Sequence, residues 1–253
     1  VPVMMALDTP DSLDILHNQF MQYGIDTSEY WGRPYDRAEF PGAQGFVNYS
    51  LGLYYRYLNL GFRVPATAGT GSGVMPNPVG YNRVYAKVDG ALSIERWYAA
   101  VRDGHSFVTN GPILLVDTET KNGRLKIRFE ARAREALDQV EVVANGLVLK
   151  RFSPPAGAKQ FKGDFTFDPR GHSWALVRCF LKTDANIRLA QSSPVYLGGK
   201  WDARTDARYF TKWIDELIDQ TLADPKRFTS ASQRDEVLEL YRRARTWYET
   251  RSN

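Results

Sequence analysis

The pattern that most limits the fold is a run of short apolar segments between about residue 113 and residue 198. Each segment is bounded by turn residues, as in "QVEVVA", "LVLKRF" and "DFTFD". Asn145-Gly146 separates two of them, and this dipeptide favours the type I′ turn of a β-hairpin. The pattern predicts a β-sandwich over residues 112–200, with a hairpin at 139–152.

The chain before Asn110-Gly111-Pro112 alternates between predicted strands and predicted helices, which is typical of an α/β layer. Helices are predicted in "NYSLGLYYRYLNLG", with Gly61 past its end, and in "SIERWYAAVRDG", with Ser93 as the N-cap. Strands are predicted in "VPVMMAL", "FRVPATAG" and "NRVYAKV", while "SLDILHNQF" fits a strand or a helix. We therefore place a domain boundary near residue 112, after an α/β region at 1–111.

The region 201–253 changes to helical spacing of its apolar residues. Asp224-Pro225 separates two such segments, and Ser230 with Gln233 forms a capping-box pattern at the start of the second. This pattern predicts a C-terminal hairpin of antiparallel helices. The side chains expected to be largely buried there are Trp213, Leu217, Leu240 and Trp247.

Charge and composition exclude several classes of protein. The 253 residues carry a net charge of only +4, and the basic residues are scattered, which argues against a nucleic-acid partner. No apolar stretch approaches the roughly 20 residues of a membrane-spanning helix, so we expect no membrane span. The single cysteine, Cys179, lies in the apolar run "WALVRCFL", which indicates a buried, unreactive thiol.

The stretch "VPATAGTGSGVMPNPVGYNRVY" at 64–85 is the main candidate for a ligand-binding loop. Its glycines allow close approach of a ligand to the backbone, and its prolines stiffen the connection. The glycine spacing matches neither the dinucleotide fingerprint nor the phosphate loop, so the stretch is either a long turn or a loop for an unknown small molecule that is polar, sugar-like or anionic. An anion would lie against the backbone of residues 69–73, near Arg83. The candidate ligand-binding residues are Thr70, Gly71, Ser72, Gly73, Asn77, Asn82, Arg83 and Asn110.

Aromatic side chains before this loop have two interpretations. They could supply stacking faces for a polar ligand such as a sugar, or they could form the core, which is the commoner role of aromatic residues at this spacing. The residues concerned are Tyr30, Trp31, Tyr35, Tyr54, Tyr55 and Tyr57.

The sequence holds three histidines and no self-sufficient metal motif. H-x-H, H-E-x-x-H and C-x-x-C are absent, and Ser72 does not fit a nucleophile elbow because prolines prevent a helix from following it. Asp14 and His17 are the candidate metal ligands, and a half-buried structural histidine is the alternative for His17. We expect His105 to be a loop residue and His172 to have no role, and we assign no catalytic residue.

Several motifs follow one another along most of the chain: "YYRYLNLGFRVPATAGTGSG", "PNPVGYNRVY", "FVTNGP", "SSPVYL" and "DARYFTKWIDELI". In this order they resemble the C-terminal portion of the polymerase-and-histidinol-phosphatase (PHP) metallohydrolases, in the carbaryl-esterase-like branch. The resemblance implies a multi-part α+β fold: the closing part of a distorted β/α barrel, then the β-sandwich, then the helical hairpin. It also implies hydrolysis with a divalent metal such as zinc or manganese.

The chain departs from this family at the metal site. The family's H-x-H belongs to an N-terminal half outside this sequence, and Gly71 and Gly73 stand where the family commonly has an Asp, often in D-x-H. We therefore expect no cofactor in this chain alone. A missing N-terminal segment or a partner chain would complete the site and cover the open sheet edges, and a homo-oligomer is a further expectation. The localisation stays open, with secretion or the bacterial periplasm as one option.

Three functions stay open at this point. The first is a portion of a PHP-type phosphoesterase-like or esterase-like hydrolase whose metal site is incomplete in this chain. The second is a non-catalytic ligand-binding or assembly module with its ligand at the 69–83 loop. A third, adhesion through the sandwich alone, rests on fold analogy. An H-x-H encoded directly upstream of Val1 would favour the first.

Overall fold

The structure is a computed structural model that describes residues 1–27, 33–73, 76–183 and 186–252. Its internal contacts divide the chain into two compact units. The helical unit comprises Val1–Pro10, Asn59–Phe62 and Asp202–Asn253, and the sheet unit comprises Asp11–Leu58 and Arg63–Trp201.

Helices and strands alternate in the first part of the chain, strands follow one another in the middle, and helices return at the end. The helices are α1 (Pro2–Leu7), α2 (Gly45–Asn59), α3 (Ile94–Arg102), α4 (Arg204–Ala223) and α5 (Ala231–Glu249), with a 3-10 turn at Pro225–Arg227. The strands are β1 (Leu13–Leu16), β2 (Phe20–Met21), β3 (Gly24–Ile25), β4 (Ala66–Ala68), β5 (Arg83–Ala86), β6 (Ser106–Thr109), β7 (Ile113–Lys121), β8 (Arg124–Arg132), β9 (Leu137–Ala144), β10 (Leu147–Phe152), β11 (Gln160–Phe167), β12 (Trp174–Leu181), β13 (Leu189–Ser192) and β14 (Val195–Tyr196). None of the described helices combines the length and the apolar character that a bilayer crossing requires.

Two antiparallel sheets enclose an apolar core in the sheet unit. Seven strands form one sheet, in the order β10-β9-β12-β13-β6-β5 with β14 paired to β12, and three form the other, in the order β11-β8-β7. Along β8, Ile127, Phe129 and Ala131 alternate with charged residues, so one face is buried in the shared core and the other meets water. The predicted sandwich is thus confirmed as a sandwich-like pair of sheets.

The seven-stranded sheet is buried on both faces along β12. Val177 and Cys179 point into the core shared with the three-stranded sheet. Trp174 and Leu176 alternate with them and are also buried. The Trp174 ring lies 5.1 Å from the ring of Tyr55, so helix α2 covers the second face. Burial on both faces explains why the sequence of β12 is an almost continuous apolar run.

A buried ion pair lies on this second face. Glu141 is fully buried, and its carboxylate accepts a hydrogen bond from Arg178 Nε at 2.7 Å. The second carboxylate oxygen pairs with Arg151 at 2.7 Å. Arg178 Nη1 also lies 3.3 Å from the hydroxyl of Tyr55, which donates to Gln191. The network therefore connects α2 to β9, β12 and β13.

Two sharp turns of the sandwich match their sequence signals. Asn145 and Gly146 have φ values of 50° and 83°, as a type I′ turn requires, and the β9–β10 hairpin is confirmed. The break after β6 is held by Thr109 Oγ1, which accepts from Gly111 N at 2.9 Å and donates to Pro112 O at 2.6 Å. Strand β7 directly after the break belongs to the three-stranded sheet, but β6 before the break pairs with the later strand β13 in the seven-stranded sheet. The domain boundary near residue 112 stays a prediction.

Strands β1 and β4 form a separate parallel pair that α2 connects, with Leu13 opposite Ala66. Helix α2 is predicted correctly, and Gly61 beyond its end has a φ of +90°. Within the described residues, neither strand pairs with a third one. The described part of the chain contains no closed barrel, so the β/α barrel stays a prediction that needs strands from elsewhere.

The first residues form a helix, so the predicted strand "VPVMMAL" is wrong. A short apolar run fits a strand and a buried helix equally well. Here Pro2 lies at the first turn, where its fixed φ suits a helix. Pro2 and Met5 are three residues apart, lie on one side of α1 and are both buried.

The helical unit contains the predicted antiparallel hairpin. Phe210 packs on Tyr248 at 5.1 Å between ring centroids, and Arg245 pairs with Asp215 at 2.6 Å, so contact positions fall along α5 as they rise along α4. The hydroxyl of Tyr248 donates to the carbonyl of Pro2 at 2.9 Å. The hairpin therefore packs on α1 within the same unit, which agrees with the prediction that these helices pack back onto the α/β region or the sandwich, since α1 belongs to the region 1–111.

The burial predicted for this hairpin is correct in part. Trp213 is buried, whereas Leu217 and Trp247 are half-buried. The prediction for Leu240 is wrong: it is 43% exposed, while Leu238 is 3% exposed. Residues two apart on a helix point in nearly opposite directions, so burial of Leu238 places Leu240 in solvent.

Candidate ligand site at the carboxyl edge of β1 and β4

The parallel pairing of β1 and β4 brings two loops to one edge. Leu16 is followed by His17 and Asn18, and Ala68 is followed by the glycine-rich stretch, while Gly69 N donates to Leu16 O at 3.0 Å. Ligands commonly bind at the carboxyl ends of parallel strands. We call this region the loop edge and define it as residues 17–22 together with residues 69–73 and 76–82.

Asp14 lies at the start of this edge and is exposed. Its Oδ1 accepts a hydrogen bond from Thr67, the residue opposite it on β4. Its Oδ2 lies 3.2 Å from the place that a Cβ at residue 69 would occupy, so Gly69 leaves room for the carboxylate. The negative charge of Asp14 therefore borders the backbone of the glycine-rich loop.

His17 is a half-buried aromatic residue here. Its ring meets Phe20 edge-on at 5.1 Å and Phe46 at 5.9 Å. Burial lowers the pKa of the imidazole, while Asp14 and a hydrogen bond with Asn18 act in the opposite direction and are outweighed. The imidazole is consequently neutral at pH 7, which suits either a structural histidine or a metal ligand.

The two glycines at the family's ligand positions have different surroundings. Gly71 has a φ of +61°, and a Cβ there would lie 2.7 Å from the Cβ of Asn18. Gly73 has a φ of +92°, and a Cβ there would meet nothing within 4 Å. A side chain at residue 71 would therefore displace Asn18. A side chain at residue 73 would have space, and only the positive φ would strain the backbone there.

Asn82 is 2% exposed and joins the two loops. Its Nδ2 donates to the carbonyl oxygens of His17 at 2.9 Å, Phe20 at 3.0 Å and Gly69 at 3.3 Å. The Oγ1 of Thr70 donates to the Asn82 carbonyl at 2.9 Å and accepts from its amide at 3.2 Å. The side chains of Thr70 and Asn82 therefore form their hydrogen bonds with the backbone of this edge. Asn82 Oδ1 is the exception and has no partner among the described residues.

Asn77 is used in the same way. Its Oδ1 accepts from Gln22 N at 3.0 Å, and its Nδ2 donates to Asn18 O at 3.2 Å. Ser72, by contrast, is exposed. Thr70, Asn77 and Asn82 are thus brought together, but as supports of the loops.

Asn110 lies at the end of β6 and supports a different segment. Its Nδ2 donates to Ile187 O at 3.1 Å, and its Oδ1 accepts from Leu189 N at 2.8 Å. The structure therefore does not bring its amide to the glycine-rich loop. It fixes the chain that leads into β13.

Arg83 is held at the start of β5. Its Nη1 donates to the carbonyls of Gly80 at 3.1 Å and Tyr81 at 3.0 Å, and its Nε donates to the hydroxyl of Tyr85 at 3.2 Å. No carboxylate among the described residues pairs with it. Among the predicted ligand-binding residues, Arg83 therefore carries a positive charge that no described carboxylate neutralises.

The aromatic residues are largely core. Tyr54, Tyr55 and Tyr57 are buried, at 0%, 6% and 1% exposure, so they offer no stacking face to a ligand. Tyr35 packs on Phe46 at 5.7 Å. Tyr30 and Trp31 lie outside the described residues.

The side chains of this edge do not complete a metal site by themselves. Among the described residues, no three His, Cys, Asp or Glu side chains lie close enough to share an ion. Asp14 and His17 would supply two ligands, and transition metals in proteins require three or four. A third ligand at residue 71 is blocked by Asn18, as described above. Cys179 is buried in the sandwich core, and burial raises the pKa of its thiol to about 12, so it is no ligand or nucleophile.

Sequence reasoning missed a second polar group beside the loop edge. The hydroxyl of Tyr81 accepts a hydrogen bond from Asn186 Nδ2 at 3.1 Å, and Asn186 also donates to Gln22 O at 2.5 Å. Arg188 follows two residues later and pairs with Glu135 at 2.6 Å. More than a hundred residues separate Tyr81 from Asn186 (|i−j| = 105), so no local pattern could join them.

No protein-family model, no curated protein and no solved structure matches this chain.

Proposed function

We propose that this chain is the C-terminal portion of a PHP-type hydrolase-like protein whose metal site is incomplete within the chain. The order of the sequence motifs supports the family. The single observation that carries the site is the parallel β1–α2–β4 unit, which puts Asp14, His17 and the glycine-rich loop at one carboxyl edge.

The isolated parallel pair supports the idea that other strands belong here. Parallel sheets are almost always larger and covered on both faces, and a sheet of two strands is marginal by itself. In the described residues, β1 and β4 pair only with each other. A segment preceding this chain in a longer protein, a partner chain or a second copy would supply the missing strands.

Hydrolysis in this proposal depends on residues outside the chain. Asp14 and His17 would contribute two ligands for zinc or manganese, and the remaining ligands would come from the segment that completes the sheet. No residue of this chain is assigned a catalytic role. The chain contributes the rigid loop edge, which Thr70, Asn77 and Asn82 hold in shape.

The alternative is a non-catalytic ligand-binding or assembly module. It is favoured by Gly71, because the close contact with Asn18 leaves no space for the carboxylate that the family carries at this position. In this alternative the loop edge holds a polar ligand without turning it over.

The test is metal content and hydrolysis by the purified chain. The protein is incubated with Zn²⁺ or Mn²⁺, freed of excess ion, examined by elemental analysis and assayed with chromogenic phosphate and carboxylate esters. We expect less than one ion per chain and no turnover. His105→Ala is the control for His17→Ala. One or more tightly held ions per chain, with turnover lost in His17→Ala and kept in His105→Ala, would show a complete enzyme.

The sequence encoded upstream of Val1 separates the two proposals. An H-x-H motif there supports the hydrolase portion. An upstream stretch that contains neither a histidine nor a further strand pattern supports the binding module.

A further inference from the structure

One end of the seven-stranded sheet collects positive charge that the proposed hydrolase does not use. Strands β5 and β13 run in the same direction because each pairs antiparallel with β6. Both therefore begin at the same end of the sheet, about 10 Å apart with β6 between them. Arg83 is the first residue of β5, and Arg188 directly precedes β13.

Arg83 is fixed in position with donors to spare. Two backbone carbonyls and the Tyr85 hydroxyl take its Nη1 and Nε, and its guanidinium lies 5.5 Å from the Tyr85 ring centroid. Its Nη2 has no acceptor among the described residues. An arginine held by neutral groups keeps its full charge and loses little further freedom when it binds an anion.

The stem of Arg188 packs against Gly111. A Cβ at residue 111 would lie 3.1 Å from Arg188 Cβ and 3.3 Å from its Cδ, so Gly111 makes room for the arginine stem. Glu135 pairs with Arg188 Nη1 at 2.6 Å, while Arg188 Nε is buried and has no hydrogen-bond partner among the described residues. A buried donor without an acceptor is uncommon and calls for one.

Tyr81 contacts both arginines, since Arg83 Nη1 donates to its carbonyl at 3.0 Å and Arg188 donates to its hydroxyl. Its hydroxyl accepts from Asn186, which leaves the phenol proton free to donate. Burial raises the pKa of this phenol and the Glu135 charge adds to the rise, while the charge of Arg188, its hydrogen bond to the hydroxyl and the charge of Arg83 act in the opposite direction. Three donors, from Tyr81, Arg83 and Arg188, thus lack acceptors at one sheet end.

The glycine backbone at 69–73 suits an anion less well. The carboxylate of Asp14 borders Gly69, and Asn18 covers Gly71. Negative charge at the first and a side chain over the second both disfavour an anion there.

We propose that Tyr81, Arg83 and Arg188 form a binding site for an oxyanion, either the phosphate or the carboxylate group of a small ligand. The charge of Arg188 is balanced by Glu135, so Arg83 supplies the net positive charge. Arginine N–H groups and a phenol proton together match the several acceptor oxygens of such a group. The site needs no metal and no other chain, so a test of it is independent of the proposed hydrolase function.

The test is a titration of the full 253-residue chain with inorganic phosphate and, separately, with acetate, followed by calorimetry in a buffer free of other oxyanions. We expect saturable binding that weakens as sodium chloride rises. Arg83→Gln should weaken it by about tenfold or more, since a charged hydrogen bond is lost. Arg102→Gln, on the exposed side of α3, removes the same charge and should leave the affinity unchanged.

Each outcome decides the proposal. Tighter binding of phosphate indicates a phosphorylated ligand, and tighter binding of acetate indicates a carboxylate. Equal weakening by Arg83→Gln and Arg102→Gln would show a general charge effect and overturn the site, as would the absence of saturable binding to either anion. Should Arg83→Gln unfold the protein, Tyr81→Phe takes its place: it keeps the ring and removes the donor, and unchanged affinity in this variant overturns the site.

Discussion

Buried residues of the sandwich and of the loop edge differ in kind. The core between the two sheets is made of aliphatic and aromatic side chains with Cys179. At the loop edge the buried side chains include Thr70, Asn77 and Asn82, with exposures of 8%, 6% and 2%. The sandwich is held by apolar area and close packing, which have no direction, whereas the loop edge is held by hydrogen bonds from amides and hydroxyls to particular carbonyls.

The comparison shows where each kind of sequence change should matter. A loss of volume should be felt most in the sandwich, because its interior is close-packed. A loss of one donor should be felt most at the loop edge, because it leaves several carbonyl groups without partners.

The largest expected effect is that of Phe129→Ala in the sandwich core. Phe129 is 4% exposed and packs on Phe152 at 5.0 Å. We expect a loss of about 3–5 kcal/mol in the free energy of unfolding, measured by urea denaturation. Leu115→Ala, at a position that is 49% exposed on β7, is the control and should change it by less than about 0.5 kcal/mol. Similar losses in both variants would contradict the assignment of the core.

Gly71→Asp tests whether the family's carboxylate can be restored. Because the new Cβ would collide with Asn18, we expect a loss of about 1–3 kcal/mol in stability and no gain in zinc content. Gly73→Asp shares the positive φ but meets no neighbour, so it should cost less. Denaturation curves and elemental analysis of both variants measure this, and a stable, zinc-loaded Gly71→Asp would show that the site is closer to intact than its geometry indicates.

Ser93→Ala removes the N-cap of α3. The Ser93 hydroxyl accepts from Arg96 N at 3.3 Å, and its loss should cost about 1 kcal/mol in the free energy of unfolding. Ser72→Ala, in the exposed part of the glycine-rich loop, is the matched change and should be neutral. A larger cost at Ser72 would give that residue a structural role that its exposure does not suggest.

The smallest effect concerns the Cys179 thiol, which should not react in the folded protein. Burial raises its pKa to about 12, so the folded chain should be inert to Ellman's reagent at pH 8 and become reactive in urea. The unfolded thiol ionises first, so this group should reduce stability only as the pH rises above about 9. Fast labelling of the native protein at pH 8 would contradict the burial of this strand.

Much of the fold follows from local patterns. The turn at Asn145-Gly146 depends only on the φ values of these two residues, and the Ser93 N-cap depends only on the backbone amide of Arg96. Both could therefore be predicted from neighbouring residues. The run at 1–7 could not, because its burial in a helix depends on α5. The roles of Asn77 and Asn82 at the loop edge could not be predicted either. The glycines indicated where the loop lies, but the two amides donate to carbonyls that are 59 and 62 residues away in the sequence.

The central claim is that Thr70, Asn77 and Asn82 at the loop edge support the loops rather than a ligand, and Asn82→Ala tests it in the absence of any ligand. The change removes three hydrogen bonds to the carbonyls of His17, Phe20 and Gly69. We expect the free energy of unfolding to fall by about 1–3 kcal/mol in urea denaturation. Asn48→Ala, at an exposed position of α2, is the control and should change it by less than about 0.5 kcal/mol. An Asn82→Ala variant as stable as the parent chain would contradict the account and return Asn82 to the list of ligand-binding residues.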